Sequence, residues 1–246
     1  MKLARKLKKL LHRNYLNDDP SIYRRFGMLW LLNYKNYIDR KLILGECYEK
    51  EQLAYCRQVI ENNRVQAFID VGANFGLYSL MMAKQFPELT TVLAFEADRR
   101  NFNCLSANIY LNGLDQCIAA RPIGLSDRQG EVVFLVNKGN STGMSRIAAT
   151  APDTTKMGMF EEVGISVDTL DAQTTGLNGQ SVYIKIDVEG HEMAVIAGAR
   201  DFLRSNRCFL QMEILSNQQE TVAALHHDYG LNCIHHIEND FFFEKG

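Results

Sequence analysis

The chain lacks most of what would mark a special class of protein. Its 246 residues include only four prolines and 17 glycines, too few for a collagen-like or low-complexity chain. Six cysteines (Cys47, Cys56, Cys104, Cys117, Cys208 and Cys233) stand apart, with no CxxC pair and no metal-like spacing. Scattered cysteines in a chain of this length read as reduced, and the protein as cytoplasmic. The main early apolar run, Met28-Leu29-Trp30-Leu31-Leu32, is far short of the roughly 20 residues a membrane span needs. No apolar stretch with a small-residue cleavage site follows the basic N-terminus, so no secretory leader is expected. There is little net charge: 27 Lys+Arg against 29 Asp+Glu gives −2, which argues against a nucleic-acid partner.

What is present is a globular composition, 46% hydrophobic and 23% charged, sufficient for a large core without disulfide or metal staples. The charge is unevenly spread. Residues 1–13 hold Lys2, Arg5, Lys6, Lys8, Lys9 and Arg13 and no acid, with Leu3, Leu7, Leu10 and Leu11 at helical spacing. Such a helix either makes peripheral contact with an anionic membrane at its inner face or packs its leucines on the protein itself.

The pattern changes near residue 66, dividing an N-terminal helical extension (1–65) from a larger α/β domain (66–246). Upstream, helices are expected over about 21–43 and 48–63, the first opened by Asp18-Asp19-Pro20-Ser21. Downstream, apolar runs predict strands at 66–71, 91–95, 117–123, 182–186 and 208–214, with late strands at about 231–237 and 240–244. Helical patterns at 76–86, 98–112, around 195–203 and at 217–229 separate them. That alternation predicts a mostly parallel, seven-stranded, Rossmann-like sheet with helices on both faces. Glu131 to Val136 and Gly164 to Leu170 read as a β-hairpin inserted after the third strand. Residues 138–163 join them, a length typical of a lid or a mobile connection.

The strongest local signal is Phe68-Ile69-Asp70-Val71-Gly72-Ala73-Asn74-Phe75-Gly76, between the first strand of the domain and its helix. Ligands of open α/β sheets bind outside the carboxyl ends of strands, glycines allow close backbone approach, and the helix N-terminus favours an anion. The spacing is G-x-x-x-G, not the dinucleotide G-x-G-x-x-G, and Asp70 would repel a pyrophosphate. A carboxylate there suits a ligand with an ammonium or a sulfonium, which points to S-adenosylmethionine. Glu96, ending the second strand and 24 residues beyond Gly72, is placed to accept from ribose hydroxyls. Asn74 is a candidate for the methionine portion and Asp127 for the adenine amino group; their plain alternatives are a turn residue and a loop acid.

A second constellation follows the fourth strand: Lys185-Ile186-Asp187-Val188-Glu189-Gly190-His191-Glu192. Lys185 and Asp187 share one strand face, and a buried lysine needs a carboxylate: Asp187, Glu189 or Glu213. An acceptor that must lose a proton on methylation requires a base. Asp187 and His191 are the favoured candidates, Glu189 serves if partly desolvated, and Lys185 only if its pKa is lowered. The rival is a divalent cation such as Mg²⁺ held by Asp187 and Glu213. The pairs His226-His227 and His235-His236 read as structural.

Taken together, FIDVGANFGLYSL, FEADRRNFNCLSANIYLNGL, GLSD, VDTLD, KIDVEGHE and the late MEI resemble the FkbM family of methyltransferases over about residues 48–214. The resemblance implies a class I methyltransferase fold, S-adenosylmethionine as cofactor, and methylation of hydroxyls, often on sugars of glycolipids, polysaccharides or natural products. Glu96-Ala97 stands where the family often has Glu-Pro, which leaves the carboxylate in place. Residues 1–47 fall outside the resemblance and are where substrate specificity is expected. Two other classes stay open: a nicotinamide-dependent oxidoreductase, and a cofactor-binding module without chemistry.

Overall fold

The computed structural model describes residues 19–139, 142–148 and 158–245. The predicted basic helix over 1–13 and part of the 138–163 connection lie outside the described residues.

The chain opens with a hairpin, β1 (Ser21–Arg25) and β2 (Met28–Leu32), paired antiparallel. This corrects the helix expected over 21–43. Met28, Trp30 and Leu32 are buried while Leu29 and Leu31 between them are only partly so, the period-two pattern of a strand. Phe26 (φ 51°) and Gly27 (φ 77°) turn the chain in two residues of positive φ, the geometry that matches strand twist. Only the end of the expected helix forms, as α1 (Tyr37–Ile43), whose first turn is capped by the Asn36 side chain. Then α2 (Lys50–Asn62) follows, as the sequence predicts.

From there the expected alternation appears: β3 (Ala67–Val71), α3 (Leu77–Gln85), β4 (Thr91–Phe95), α4 (Arg99–Leu111) and β5 (Ile118–Arg121). An inserted four-stranded sheet comes next, built from β6 (Gly124–Leu125), β7 (Gly130–Asn137), β8 (Arg146–Ile147) and β9 (Phe160–Asp168), in the order β6-β9-β7-β8. The short α5 (Leu170–Gln173) leads to β10 (Ser181–Ile186), α6 (Glu192–Ala197), α7 (Arg200–Ser205), β11 (Arg207–Glu213), α8 (Gln218–Tyr229), β12 (Asn232–Ile237) and β13 (Asp240–Lys245).

The main sheet runs β12-β13-β11-β10-β3-β4-β5. Its strands from β11 to β5 are parallel, and β13 and β12 add antiparallel pairings at one edge. Strand order reverses between β3 and β10. A crevice opens at the carboxyl ends of these strands, lined by the loops that leave them, the usual ligand position in such sheets.

Each face has its own core. Trp30, Leu42, Leu53 and Ile60 from the N-terminal segment join Phe68, Leu80 and Leu105 on one side, so this segment completes the domain's core. Val195, Ile196, Phe202 and Leu203 pack on Ile69, Ile184 and Leu210 on the other. The hairpin edge is closed by helix side chains: Leu31 N donates to Asn108 Oδ1 (2.6 Å) and Leu29 N to Asn112 Oδ1 (3.0 Å). Among the described residues no helix is long and apolar enough to cross a membrane.

Candidate active site

At the β3/β10 switch point the loops after β3, β4 and β10 line a deep cavity, together with Asn36 to Ile38, Tyr48 and Glu49 from the N-terminal segment and Gly143 to Ser145 from the insertion. Of the site residues expected from sequence, Asp70, Gly72, Asn74, Glu96, Lys185, Asp187, Glu189 and Glu213 are in that lining.

Asp70 is 1% exposed. Its Oδ2 accepts from Ser79 N (3.0 Å) and Ser79 Oγ (2.5 Å), fixing the first turn of α3, while Oδ1 has no hydrogen-bond partner among the described residues. Burial pushes its pKa up, against the pull of Lys185. Asn74, with φ 52°, also keeps a buried Oδ1 without a partner among the described residues. Unpartnered buried oxygens are costly in a folded chain, and two of them in one cavity suit a ligand that brings donors or positive charge. Glu96 braces the loop: Oε2 accepts from Asn74 N and Oε1 from Asp98 N, both at 2.7 Å. Burial lifts it to about 8, and each oxygen keeps a further lone pair for a ligand hydroxyl.

The glycines do different work from that expected. A Cβ on Gly72 would lie 1.9 Å from the Asp187 carbonyl oxygen, and one on Gly76 2.5 Å from Leu80 Cδ1. Both have positive φ. Gly72 lets two loops touch and Gly76 lets α3 close on α4; Gly76 is absent from the cavity lining.

Lys185 aligns with Asp70 on β3 and with Gln211 on β11. Its Nζ donates to Asp187 Oδ2 at 2.9 Å and sits 4.8 Å from the Tyr78 ring centroid. Burial alone would lower its pKa, but Asp187, Glu49 and Asp70 together raise it. Lys185 is therefore a fixed cation, which removes it as a candidate base.

Two expected residues stand elsewhere. His191 immediately precedes α6 without a side-chain capping bond, its Nε2 is 2.9 Å from Ser126 Oγ, and desolvation lowers its pKa. Asp127 accepts from Ser126 Oγ and pairs with Arg128 at the surface. Neither lines the cavity; the chain leaves the lining at the end of β6, which pairs with β9, before residues 126–128. Ile123, Gly124 and Leu125 line it instead.

Sequence reasoning missed Glu49. It precedes α2 in a left-handed conformation (φ 48°), and its Oε2 accepts from Tyr78 Oη at 2.8 Å. Tyr78 in turn accepts from Gln211 Nε2 (3.1 Å), which also donates to Asp240 Oδ1 (2.8 Å). Burial lifts Glu49 to about 7, with Lys185 opposing and Asp187 adding. Burial also lifts Glu189 to about 7 and raises Glu213, with Asp187 reinforcing both. Carboxylate oxygens of Asp187, Glu189 and Glu213 lie within 4.8 Å of one another. The only sequence signal for Glu49 was its place at the start of the predicted helix at 48–63.

Residues 70–232 match the family model for the methyltransferase FkbM domain. Methyltransferase 1 of Beauveria bassiana is 25% identical over 205 residues, covering 78% of this chain and 77% of that protein. Methyltransferase sdnD of Sordaria araneosa is 33% identical over 110 residues, 43% of this chain and 38% of its own. Among solved structures, methyltransferase FkbM from Methylobacillus flagellatus aligns with TM-score 0.49 and 16% identity over 73% of this chain, which spans only 43% of that one. The hMettl16 catalytic domain in complex with MAT2A 3'UTR hairpin 1 aligns with TM-score 0.52 and 12% identity, over 98% of this chain and 78% of that one. The latter is a likeness of fold, and with the sheet order it identifies the architecture as that of class I methyltransferases.

Proposed function

As the chain belongs to the methyltransferase FkbM family, it is a methyltransferase, and we propose that it is an O-methyltransferase that uses S-adenosylmethionine on a hydroxyl of a sugar, in a glycolipid, polysaccharide or other glycoconjugate. The observation that carries the cofactor reading is Asp70, buried in the cavity lining with one oxygen lacking a partner among the described residues. A carboxylate so placed favours a cationic donor and disfavours the pyrophosphate of a nicotinamide cofactor.

The residues present fit that donor. The Asp70 and Asn74 side chains would hold its methionine portion and Glu96 its ribose hydroxyls, with Ile123, Gly124 and Leu125 as the wall beyond. When bound, S-adenosylmethionine supplies an electrophilic methyl group. The protein's task is to hold the acceptor oxygen in line with that group and to take the hydroxyl proton as the new bond forms. Glu49 suits the second role. Its Oε2 accepts from Tyr78, Tyr48 also hydrogen-bonds to this carboxyl group, and a carboxyl near 7 matches a base working at neutral pH. Asp187 orients Lys185, whose charge steadies the carboxylates around it.

Calorimetry with S-adenosylmethionine and with NAD tests the cofactor reading: binding of the former, strongly weakened in Asp70→Ala or Glu96→Ala, is expected, and tight NAD binding instead overturns it. Labelled methyl transfer onto glycolipid and polysaccharide fractions of the producing cell tests the acceptor.

A further inference from the structure

Glu49 stands at the end of a buried chain of hydrogen bonds that begins at the far edge of the sheet. Its Oε2 accepts from Tyr78 Oη at 2.8 Å. Gln211 Nε2 donates to Tyr78 Oη (3.1 Å) and also to Asp240 Oδ1 (2.8 Å). Gln211 Oε1 accepts from Tyr183 Oη at 3.2 Å. Tyr78, Tyr183, Gln211 and Asp240 are all buried, so they depend on one another for partners. Four elements meet in this chain: Gln211 is on β11, Asp240 opens β13 beside it, Tyr78 is on α3 and Glu49 precedes α2.

The donors available fix the direction of each bond. Both Asp240 oxygens accept, Oδ1 from Gln211 and Oδ2 from Gln52 Nε2 at 3.4 Å, which is the bonding of an ionised carboxylate. An acceptor-only group draws the Gln211 amide nitrogen to its side, not the carbonyl. The second hydrogen of that nitrogen then points at Tyr78, and the carbonyl is left to Tyr183. A phenol has one proton. With its oxygen serving Gln211, Tyr78 gives that proton to Glu49. Turned about, Gln211 would set its carbonyl against the Asp240 carboxylate and offer Tyr78 an acceptor that competes with Glu49. Lys185 Nζ, 4.8 Å from the Tyr78 ring centroid, holds the ring in place.

We infer that Gln211 and Asp240 are positioning residues for methyl transfer: they commit the Tyr78 hydroxyl to donating to Glu49, which keeps that carboxylate ionised and oriented as the base. This rests on the reading of Glu49 as the base and adds what governs it. Other groups act on Glu49 as well. Burial pushes its pKa up, Lys185 pulls it down, and the charges of Asp187 and Asp240 push it up again, while Tyr48 bonds to the same carboxyl group. Asp240 therefore acts on Glu49 with two opposite signs. Its charge disfavours the carboxylate directly, and its hold on Gln211 favours it through Tyr78.

Those signs make the test. The full chain is labelled at its glutamate side-chain carboxyls, and the Glu49 resonance, identified by its loss in Glu49→Gln, is titrated by NMR from about pH 4 to about pH 9. Tyr78→Phe removes the donor and should raise the Glu49 midpoint by about one unit. Asp240→Asn preserves shape. Loss of a nearby negative charge would by itself lower the midpoint. An amide at position 240 can donate, however, so Gln211 is free to turn its carbonyl to Tyr78 and draw the hydroxyl from Glu49. A raised midpoint is expected. In a Gln211→Met background, where Asp240 and Tyr78 are disconnected, the same Asp240→Asn change should only lower it. A midpoint that falls or stays put in Asp240→Asn alone, one that is unmoved in Tyr78→Phe, or a rise that persists in the Gln211→Met background overturns the inference. The acid limb of the pH–rate profile for labelled methyl transfer should move with the midpoint. If the midpoints move as expected while Glu49→Gln transfers methyl as fast as the parent, the hydrogen-bond chain stands and the reading of Glu49 as the base falls.

Discussion

The carbonyl oxygen of Asp187 occupies the space where a side chain on Gly72 would begin, 1.9 Å from that hypothetical Cβ. The loops after β3 and β10, 115 residues apart in sequence (187 − 72), are locked together at the floor of the cavity. The lock is reinforced by Asp187 N donating to Val71 O at 3.0 Å. Gly72→Ala must push these loops apart and also adopt a positive φ. A loss of about 2–4 kcal/mol in urea unfolding is expected, with weakened binding of S-adenosylmethionine. A variant as stable as the parent would show that the contact is loose.

Lys185 is 5% exposed at its side chain and Asp187 29%. Lys185→Met leaves Asp70 and Asp187 without their cation, at a cost of about 3 kcal/mol near neutral pH. The raised pKa of Lys185 means that its stabilisation is present throughout the range below the usual lysine value and is lost only in strong alkali. The variant's deficit should instead shrink in acid, as the buried Asp70 carboxylate it abandons, its pKa already raised by burial, takes up a proton. A deficit that does not change with pH would show that the lysine acts by packing alone.

Glu49, in the cavity lining, and His191, outside it, separate cleanly. Glu49→Gln should lower methyl transfer about a hundredfold or more with cofactor affinity preserved. His191→Ala should change it by less than about threefold, because its imidazole is engaged with Ser126 and is not in the cavity lining. Equal losses in both variants would return His191 to the chemistry.

Much of this was legible in the sequence for a physical reason. Strands buried on both faces read as continuous apolar runs, so β3, β4, β10 and β11 and the loops they deliver could be placed from residue type alone. The hairpin at residues 21–32 was not legible. Met28 to Leu32 is apolar throughout, so its period cannot be seen, and its edge is satisfied by Asn108 and Asn112 some 80 residues later. Glu49 and Gln211 were missed for a related reason: their roles come from a buried chain of hydrogen bonds through Tyr78, which has no local sequence mark. His191 was over-read because adjacency to Asp187 and Glu189 in sequence does not survive the turn into α6.

Burial raises Glu49 and Glu189 to about 7 and Glu96 to about 8, above the usual carboxylate value. Folding therefore favours their protonated forms, and their stabilisation is lost as pH rises from the unfolded value through those folded values. The lowered pKa of His191 works the other way, but only below its ordinary value of 6.5. Between about pH 6.5 and pH 8 the acids act alone, so thermal stability without ligand should fall across that window. S-adenosylmethionine, which offers positive charge, should reduce the slope. Stability that climbs with pH there would mean that the carboxylates have partners in solution.

Asn108 is fully buried, and it joins two segments that sequence distance keeps apart. Its Oδ1 accepts from Leu31 N on β2, and its Nδ2 donates to Phe75 O in the loop after β3 at 2.9 Å. One side chain thus holds the N-terminal hairpin and the glycine loop to α4. Asn108→Ala would orphan a buried N–H and a buried carbonyl, each costing about 1–3 kcal/mol. Asn108→Asp keeps the acceptor for Leu31 but loses the donor to Phe75 and brings two oxygens face to face. If the hairpin only covers the core, both variants should lower stability and leave the affinity for S-adenosylmethionine unchanged in the folded fraction. If the hairpin also steadies the cavity, Asn108→Asp should weaken cofactor binding more than its stability loss explains, because the freed carbonyl belongs to the loop that carries Asn74. Hydrogen exchange at residues 72–77 decides between these: faster exchange in Asn108→Asp under native conditions is expected, and unchanged protection would confine Asn108 to a packing role.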